Sequence, residues 1–396
     1  MTIHSASLGL RQSNRLRVIE TLYNQPGTSR AELARTTGLS RATVSMLVEE
    51  LEEANIVEEH DAGEDIRPRN TGRPPIPLSL VPSAAFAVGL DIGRQHVRVA
   101  VSDLSGTPVL DKWTPAEVDH APMESLDLAH DLVRSALDAT GVQPDRLLGV
   151  GMGLAAPINT VTGELEAYGI LPGWEGIRPA AEMERRLGVS VQLDNDANLG
   201  ALGEKVFGVA RGVDDLIYVR LSAGVGAGLI LNGLPYHGAR GVAGEIGHVS
   251  VVENGLICRC GNRGCLETVA SPVAVAALLE RSSGRYVSVA EVLDLVRLGD
   301  RGAQRAVSDA GALVGRALAM LVNTLNPGLV VVGGELAGAG AVLLDSIRSS
   351  IERDAVMPAS GAVNVTAGTL GDRAEVLGAA ALILAQSPHV LARRVA

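Results

Sequence analysis

The chain has 396 residues, of which 46% are hydrophobic and 2% aromatic, and its formal net charge is −11. This length suffices for two or three domains, and the abundance of aliphatic residues, Ala and Gly favours an α/β protein. No apolar run reaches the roughly 18–20 residues of a membrane span, and no signal peptide is recognisable, so we expect a cytoplasmic protein with no membrane partner. The negative charge does not exclude a local DNA-binding face, because it describes the whole chain.

The N-terminal region has the pattern of a helix-turn-helix. Ser29 and Glu32 form a capping-box pattern that predicts the start of a short helix, and Gly38 is expected to end it. Ser40 is expected to cap a second helix, in which apolar residues of 44–51 recur at i, i+3, i+4 and i+7. A short helix, a glycine-containing turn and an amphipathic helix in succession are typical of this motif.

Polar residues at the start of the second helix are the candidates for contacts with bases. Recognition helices present their N-terminal residues to the major groove, where Arg, Ser and Thr side chains bind base edges or phosphates. Residues 56–57 and 76–78 predict two wing strands, and the Arg- and Pro-rich loop between them is thin enough to enter a minor groove. The predicted DNA-binding residues are Ser40, Arg41, Thr43, Ser45, Arg67, Arg69 and Arg73.

An acidic run from Glu49 to Asp65 contains nine carboxylates and no Lys or Arg. Such a run repels phosphate, so it must face away from DNA if this module binds DNA. The alternative is a three-helix module for protein interaction. We favour DNA binding, because the capping box, the turn, the polar residues and the basic wing coincide.

Two later regions, about 84–200 and 214–385, repeat one pattern. Each begins with an apolar strand, a glycine-rich turn and a second apolar strand, at 86–101 and at 216–231. Two halves that begin with the same hairpin predict two lobes with a cleft between them.

The three cysteines, Cys258, Cys260 and Cys265, follow His248 and lie within eight residues of one another. An odd, clustered set in a chain expected in the cytoplasm indicates a metal rather than disulfides. The four residues form a Cys3His set that suits tetrahedral structural zinc and leaves no open position for catalysis. The alternative is three thiols without a metal.

The Glu-x-Gly-His element at 245–248 and the Cys-x-Cys-Gly-x-x-Gly-Cys-x-Glu element at 258–267 resemble the ROK family of repressors, open reading frames and sugar kinases. Residues 153–157, 194–198 and 330–334 are also similar to elements of that family. The resemblance extends from about residue 84 to the C-terminus. With the N-terminal module, it follows the arrangement of the family's sugar-responsive repressors of the xylose and N-acetylglucosamine type.

The resemblance implies an α/β fold with an N-terminal winged helix-turn-helix and a two-lobed, actin-like and ribonuclease H-like sugar-kinase domain. We expect the winged helix-turn-helix over residues 1–80 and the first lobe over 84–200, completed by a C-terminal helix at 375–392. The second lobe, with the zinc knuckle, is expected over 201–374.

The resemblance also implies a sugar in the cleft. Amide, carboxylate and imidazole groups offer a polyol both donors and acceptors, and His248 can bind zinc through one ring nitrogen and the sugar through the other. Taken alone, the pattern at 194–198 also fits a helix N-cap. The implied sugar-binding residues are Asn195, Asp196, Glu245, His248 and Glu267.

The two turns that hold phosphate in ROK kinases differ here. The usual Asp-x-Gly-Gly-Thr is replaced at 91–95, where Arg94 and Gln95 are expected to fill the phosphate space, and the usual Gly-Thr-Gly is replaced by Ser-Ala-Gly at 222–224. Asp196 matches the family's catalytic base. Because phosphoryl transfer depends mostly on positioning and charge stabilisation, we expect Asp196 to be a vestigial base and the protein not to be an enzyme.

The sequence therefore predicts a repressor of carbohydrate metabolism genes that binds double-stranded operator DNA. It is expected to take a sugar or sugar phosphate in its cleft and to form a homodimer or homotetramer. One alternative is an ATP-dependent sugar kinase with a DNA-binding appendage. A second is an NAD enzyme, but Gly149-x-Gly151-x-Gly153 is not the dinucleotide-binding fingerprint.

Overall fold

The computed structural model describes residues 9–60, 76–159, 162–165 and 169–395, and the statements below concern these residues. The N-terminal module combines helices with a small antiparallel sheet: α1 (Leu10–Asn24), β1 (Thr28–Ser29), α2 (Arg30–Thr37), α3 (Arg41–Glu53), β2 (Val57–Glu59) and β3 (Pro77–Leu80). The strand order is β1-β3-β2. This arrangement confirms the predicted winged helix-turn-helix.

Side-chain caps place the ends of these helices where the sequence predicts them. The Ser29 hydroxyl accepts from the amide of Glu32, whose carboxylate accepts in return from the amide of Ser29, which completes a capping box at α2. Gly38 ends α2 with a φ of 71°, a left-handed conformation that favours glycine. Ser40 accepts from the amide of Thr43 at 3.1 Å and caps α3.

The apolar face of α3 lies in the core of the module. Its predicted core residues have no exposed surface: Val44, Leu47, Val48 and Leu51. Two of the strands, β2 and β3, are the predicted wing strands. The wing loop falls within 61–75, so three predicted DNA-binding residues lie outside the described part of the chain: Arg67, Arg69 and Arg73.

The first lobe is a five-stranded sheet with two helices on one face: β4 (Phe86–Ile92), β5 (His96–Asp103), β6 (Pro108–Pro115), α4 (Pro122–Thr140), β7 (Leu147–Leu154), α5 (Pro179–Leu187) and β8 (Val191–Asn195). The order is β6-β5-β4-β7-β8. β4, β7 and β8 are parallel, whereas β5 is antiparallel to both of its neighbours.

The second lobe repeats this topology: α6 (Asp196–Val206), β9 (Leu216–Leu221), β10 (Val225–Leu231), β11 (Leu234–Pro235), α7 (Glu267–Ala270), α8 (Pro272–Ser283), α9 (Val289–Arg297), α10 (Arg301–Leu325), β12 (Leu329–Gly333), α11 (Ala341–Asp354), α12 (Met357–Ser360) and β13 (Asn364–Ala367). Its order, β11-β10-β9-β12-β13, matches that of the first lobe strand for strand. The prediction of two related lobes in a ribonuclease H-like fold is confirmed.

The boundary predicted between residues 200 and 201 falls inside α6. The chain leaves the first sheet at Asn195, which caps α6, and α6 then packs on β9 and β10 of the second sheet. The change of lobe therefore occurs about five residues earlier than predicted, because the N-cap rather than the end of the helix separates the two sheets.

The predicted helix at 375–392 is two helices, α13 (Ala374–Leu384) and α14 (Ser387–Arg394). α13 lies between the lobes against α6, β4 and β7, and its assignment to the first lobe stays a prediction. α14 instead packs on α1, and its Leu391 and Ala392 share a core with Val18 and Ile19 of the N-terminal module. α14 thus packs with the helices of the N-terminal module, whereas α13 packs on the sheet of the first lobe.

One described helix, α10, is long and apolar enough to span a membrane, with a mean hydropathy of 1.2 in its most apolar window. The bent pair α13–α14, counted from Gly371, passes the same test if it is taken as one span. α10 packs along α11, and 56% of that window is buried inside the protein, as is usual for the core helix of a folded domain.

Candidate functional site

The start of α3 presents the four predicted DNA-binding residues that the structure describes. Arg41 is exposed, whereas Thr43 and Ser45 are half-buried. The Ser40 hydroxyl lies 2.8 Å from the hydroxyl of Thr43 and also accepts from its amide, so both side chains are engaged in the helix cap. Of the four, Arg41 is therefore the side chain with the most freedom to reach a base edge.

Three of the six carboxylates on α3 and β2 pair with arginines of the module. Glu50 binds Arg15 at 3.0 Å and also contacts Arg11, while Arg30 bridges Glu52 at 3.2 Å and Glu59. Arginines of α1 and the start of α2 offset the charge of these carboxylates, so the run repels phosphate less than its composition implies. That the acidic run faces away from DNA stays a prediction.

The five predicted sugar-binding residues line one cleft between the lobes: Asn195, Asp196, Glu245, His248 and Glu267. The first two lie where β8 ends and α6 begins. The next two flank a short 3-10 turn after β11, and the last begins α7. The cleft also includes Arg94 and Arg220, which the sequence analysis did not place beside a sugar.

Asn195 serves the helix as well as the cleft. Its side-chain oxygen accepts from the amides of Ala197 at 2.9 Å and Asn198 at 3.3 Å, and its amide nitrogen donates to the Ala156 carbonyl at 3.2 Å. The N-cap interpretation of this segment is therefore correct as a structural statement. A sugar contact by Asn195 stays a prediction, supported by its place in the cleft lining and by the second proton on its amide nitrogen.

A buried ion triad joins the cleft to α13. Arg220 Nη1 lies 2.9 Å from Asp196 Oδ2, and Arg220 Nε lies 2.8 Å from Glu375 Oε1. Burial raises the pKa of Asp196, and Arg220 opposes that shift. The sequence contained one indication of this arrangement. Arg220 is the only charged residue in the otherwise apolar strand at 216–221.

The first phosphate turn is covered by an imidazole. His96 Nε2 lies 2.8 Å from Asp91 Oδ2, and a Cβ on Gly93 would lie 2.3 Å from the His96 ring. Arg94 turns away to bind Asp119 at 2.5 Å. Asp119, outside the turn, thus holds the Arg94 guanidinium, while His96 covers the turn. That Arg94 and Gln95 fill the phosphate space stays a prediction.

A carboxylate occupies the second turn. Glu267 Oε2 accepts from the amide of Val225 at 3.2 Å, and a Cβ on Gly224 would lie 2.5 Å from the same oxygen. This position must be a glycine if Glu267 is to approach so closely. The amide of Val225, the residue directly after the turn, is thus already bound to a carboxylate.

The predicted metal ligands form a compact cluster. The donor atoms of His248, Cys258, Cys260 and Cys265 all lie within 4.8 Å of one another. Cys258 Sγ is 3.5 Å from His248 Nδ1, and the sulfurs of Cys260 and Cys265 are 3.7 Å apart. Zinc–sulfur bonds of ~2.3 Å and zinc–nitrogen bonds of ~2.0 Å separate tetrahedral ligands by about 3.5–3.8 Å. The cluster therefore has the size of a tetrahedral metal site.

The other nitrogen of His248 faces the cleft, where Nε2 lies 3.7 Å from Glu245 Oε2. Burial, followed by the charges of Asp196 and Glu267, raises the pKa of Glu245 to about 7. The imidazole thus stands between the cysteine cluster and the carboxylates that line the cleft.

Arg259 connects the cysteine cluster with the opposite lobe. It lies between two of the cysteines and donates to the carbonyl of Ile170 at 3.0 Å, and its Nη1 is 3.4 Å from Asp119. Its Nε lies 3.8 Å from Glu267. The cleft is therefore bridged on one side by a residue of the knuckle, which no local sequence pattern predicted.

Comparisons with known proteins agree with this geometry. A model of the ROK family matches residues 87–386, and a model of the MarR family matches residues 9–67. The chain is 30% identical to the xylose repressor of Bacillus subtilis over 384 residues, which cover 97% of this chain and 98% of that one. It is 32% identical to a glucokinase of Halalkalibacterium halodurans over 77% of this chain and 96% of that one.

Among solved structures, the chain resembles a ROK family transcriptional regulator that is a homologue of the Escherichia coli MLC protein. The TM-score is 0.79 at 25% identity, and the match covers 98% of this chain and 99% of that one. The similarity thus spans the helix-turn-helix, both lobes and the cleft.

Proposed function

The chain belongs to the ROK family, and on that premise we propose that it is a transcriptional repressor of carbohydrate metabolism genes, controlled by a sugar in the interlobe cleft. One observation carries this proposal. The helix-turn-helix and the two-lobed domain share a continuous core, in which α14 packs on α1. A DNA-binding module built into the sensor in this way can respond to a ligand that binds two states of the sensor unequally.

The proposed ligand is a neutral monosaccharide such as D-xylose or D-glucose, because carboxylates, an amide and an imidazole of the cleft together offer mixed donors and acceptors. The arginines that line the cleft are already bound to carboxylates, Arg94 to Asp119 and Arg220 to Asp196. Because these guanidinium groups are paired, they are less available to bind the phosphate of a sugar phosphate. We therefore favour the free sugar as the ligand.

We propose that the protein has no sugar-kinase activity. His96 covers the first phosphate turn, Glu267 accepts from the amide of Val225 directly after the second, and Arg220 binds the carboxylate that would act as the base. A base held in an ion pair beside closed phosphate turns cannot provide the positioning on which phosphoryl transfer depends.

We propose structural zinc as the metal of the cysteine cluster. The thiolates of Cys258, Cys260 and Cys265 and Nδ1 of His248 would hold it, which suits the ligand preference and the spacing of tetrahedral zinc. Bound zinc would supply a fixed charge that orients the His248 ring. His248 then keeps Nε2 directed at the cleft, so the residue aligns the sugar while it closes the metal site.

On the DNA side, we propose that Arg41 reads the major groove and that Arg67, Arg69 and Arg73 of the wing contact the minor groove or its phosphates. A cytoplasmic homodimer or homotetramer would place paired recognition helices on half-sites about 34 Å apart.

The proposal is tested by fluorescence anisotropy with a DNA fragment from the region upstream of the protein's own gene, measured with and without D-xylose or D-glucose. We expect specific binding that one of the sugars changes at least several-fold. ADP release from ATP is measured in parallel across the same sugars. Absence of specific DNA binding at moderate salt, or phosphorylation at more than about one turnover per second, would contradict the proposal.

A further inference from the structure

The ion triad of Asp196, Arg220 and Glu375 lies between the sugar cleft and the helix α13. Its side chains are 9%, 11% and 4% exposed, respectively. The Tyr218 hydroxyl adds a hydrogen bond to Glu375 at 3.1 Å. A guanidinium is a rigid fork of donors, so one arginine fixes the distance between two carboxylates that come from different helices.

The two carboxylates have different surroundings. Asp196 begins α6 and lines the cleft, whereas Glu375 is the second residue of α13. Breaking either ion pair would leave a buried charge without its partner, which is costly. A movement of Asp196 toward a sugar hydroxyl is therefore expected to draw Arg220 and Glu375 with it.

Helix α13 packs closely against its neighbours, which favours movement of the helix as a rigid unit. A Cβ on Gly89 of β4 or Gly151 of β7 would lie 1.9 Å from a carbonyl oxygen of α13, and a Cβ on Gly378 would lie 1.8 Å from Leu199 O on α6. The helix thus contacts its neighbours backbone to backbone, without flexible side chains that could absorb a shift. Its 11 residues span about 16 Å.

The far end of α13 reaches the DNA-binding module. Ile383 and Leu384 belong to the same core as α1 and α3, and α14 follows after two residues. Arg394 donates to the carbonyl of Ala84 at 3.1 Å, and Arg15 of α1 donates to the carbonyl of Val395. The segment that leads from the triad to the contact with α1 therefore consists of two helices, α13 and α14, joined by one bend.

We propose that Arg220 is a positioning residue that orients Asp196 toward the sugar and ties it to Glu375, so that occupancy of the cleft is transmitted along α13 and α14 to the DNA-binding module. This inference rests on the proposed sugar-controlled repressor function. It assigns the coupling to one identified contact between the sensor and a helix that enters the module.

The test uses Glu375→Gln, which removes the charge at the start of α13 but keeps the shape, and Tyr218→Phe, which removes a single hydrogen bond. The matched control is Arg186→Gln, because Arg186 is also a largely buried arginine between two carboxylates but lies on α5, away from the triad. Operator affinity is measured by anisotropy with and without saturating D-xylose or D-glucose, and sugar affinity by calorimetry.

We expect the ratio of operator affinities with and without sugar to be about 5- to 150-fold in the wild type and in Arg186→Gln. In Glu375→Gln, the ratio should fall to within about twofold of one while the sugar still binds, and Tyr218→Phe should give an intermediate ratio. A wild-type ratio in Glu375→Gln would overturn the inference.

Hydrogen exchange without sugar gives a second, independent readout. Loss of the triad should speed amide exchange in α14 and α1 of Glu375→Gln, and Arg186→Gln should leave those helices unchanged. Exchange that changes only around the cleft would also overturn the coupling. If the wild type bound no operator, the proposed function would fail, and exchange in α14 would still decide whether the triad is coupled to the module.

Discussion

Replacing Gly378 by Ala sets two effects of known size against each other. Gly378 lies inside α13, where Ala is favoured over Gly by about 1 kcal/mol of helix propensity. The added Cβ, however, would lie 1.8 Å from Leu199 O, 2.6 Å from Leu199 C and 3.0 Å from the Gly203 amide nitrogen, all of them backbone atoms of α6. The two helices would have to separate by about 1.5 Å to restore ordinary contact.

The clash should exceed the gain in propensity. Overpacking a well-packed site costs about 1–3 kcal/mol, and a rigid backbone neighbour places this site at or beyond the upper end of that range. We therefore expect Gly378→Ala to destabilise the protein by about 2 kcal/mol. This corresponds to a fall in Tm of roughly 4–8 °C for a cooperative unit of 150–250 residues.

Differential scanning calorimetry measures this effect directly. Gly302→Ala is the matched control, because Gly302 is also helical but the nearest atom to its added Cβ is a carboxylate oxygen of Asp300 at 3.2 Å, the end of a flexible side chain. The free energy of unfolding of that variant should stay within about 1 kcal/mol of the wild-type value. A Tm for Gly378→Ala equal to or above that of the wild type would refute the packing argument.

Three further changes test the metal site, the DNA contact and the ion pair of His237 with Asp194. Cys260→Ser should lower both the Tm and the sugar affinity and reduce the zinc content measured by mass spectrometry, because metal binding is coupled to folding. If neither the Tm nor the sugar affinity changes, the knuckle is not structural. Arg41→Ala should weaken operator binding, measured by anisotropy, about 5- to 150-fold, because one base contact is lost. If the variant binds the operator as tightly as the wild type, Arg41 does not contact a base. The hydrogen bond with Asp194, at 2.7 Å, raises the pKa of His237 above its usual value. The protonated form is therefore favoured in the folded state, and its stabilising contribution is complete below about pH 6.5 and lost as the pH rises through the raised pKa. His237→Gln should accordingly lower the Tm more at pH 6 than at pH 8.5. An equal decrease in Tm at the two pH values would contradict a stabilising interaction between protonated His237 and Asp194.

Local signals in the sequence predicted local structure well. The capping box at Ser29, the left-handed Gly38 and the cap at Ser40 each involve atoms within a few residues of one another, and each has the predicted geometry. The cysteine cluster could be predicted for the same reason, because its four residues lie close together in the sequence. The strand patterns also predicted two related lobes, since alternation reports the burial of each face.

The contacts between distant segments were beyond such reasoning. Arg220 and Glu375 are 155 positions apart, and no spacing rule connects them. The strand pattern marks Arg220 as unusual but does not identify its partners. The division of 375–392 into two helices did have a local sign, the Ser387-Pro388 pair, because proline is favoured in the first turn of a helix. The packing of α14 on α1, in contrast, depends on the assembled fold.

The position of α14 also has a consequence for synthesis on the ribosome. Arg15 and Val395 bind each other across 380 positions, so the helix that completes the core around α1 is synthesised long after α1 itself. At ~5–20 residues per second, the N-terminal module waits roughly 20–75 s for it. A nascent or prematurely terminated chain therefore carries a helix-turn-helix with an exposed apolar face. The core around α1 is therefore complete only in chains that already include α14.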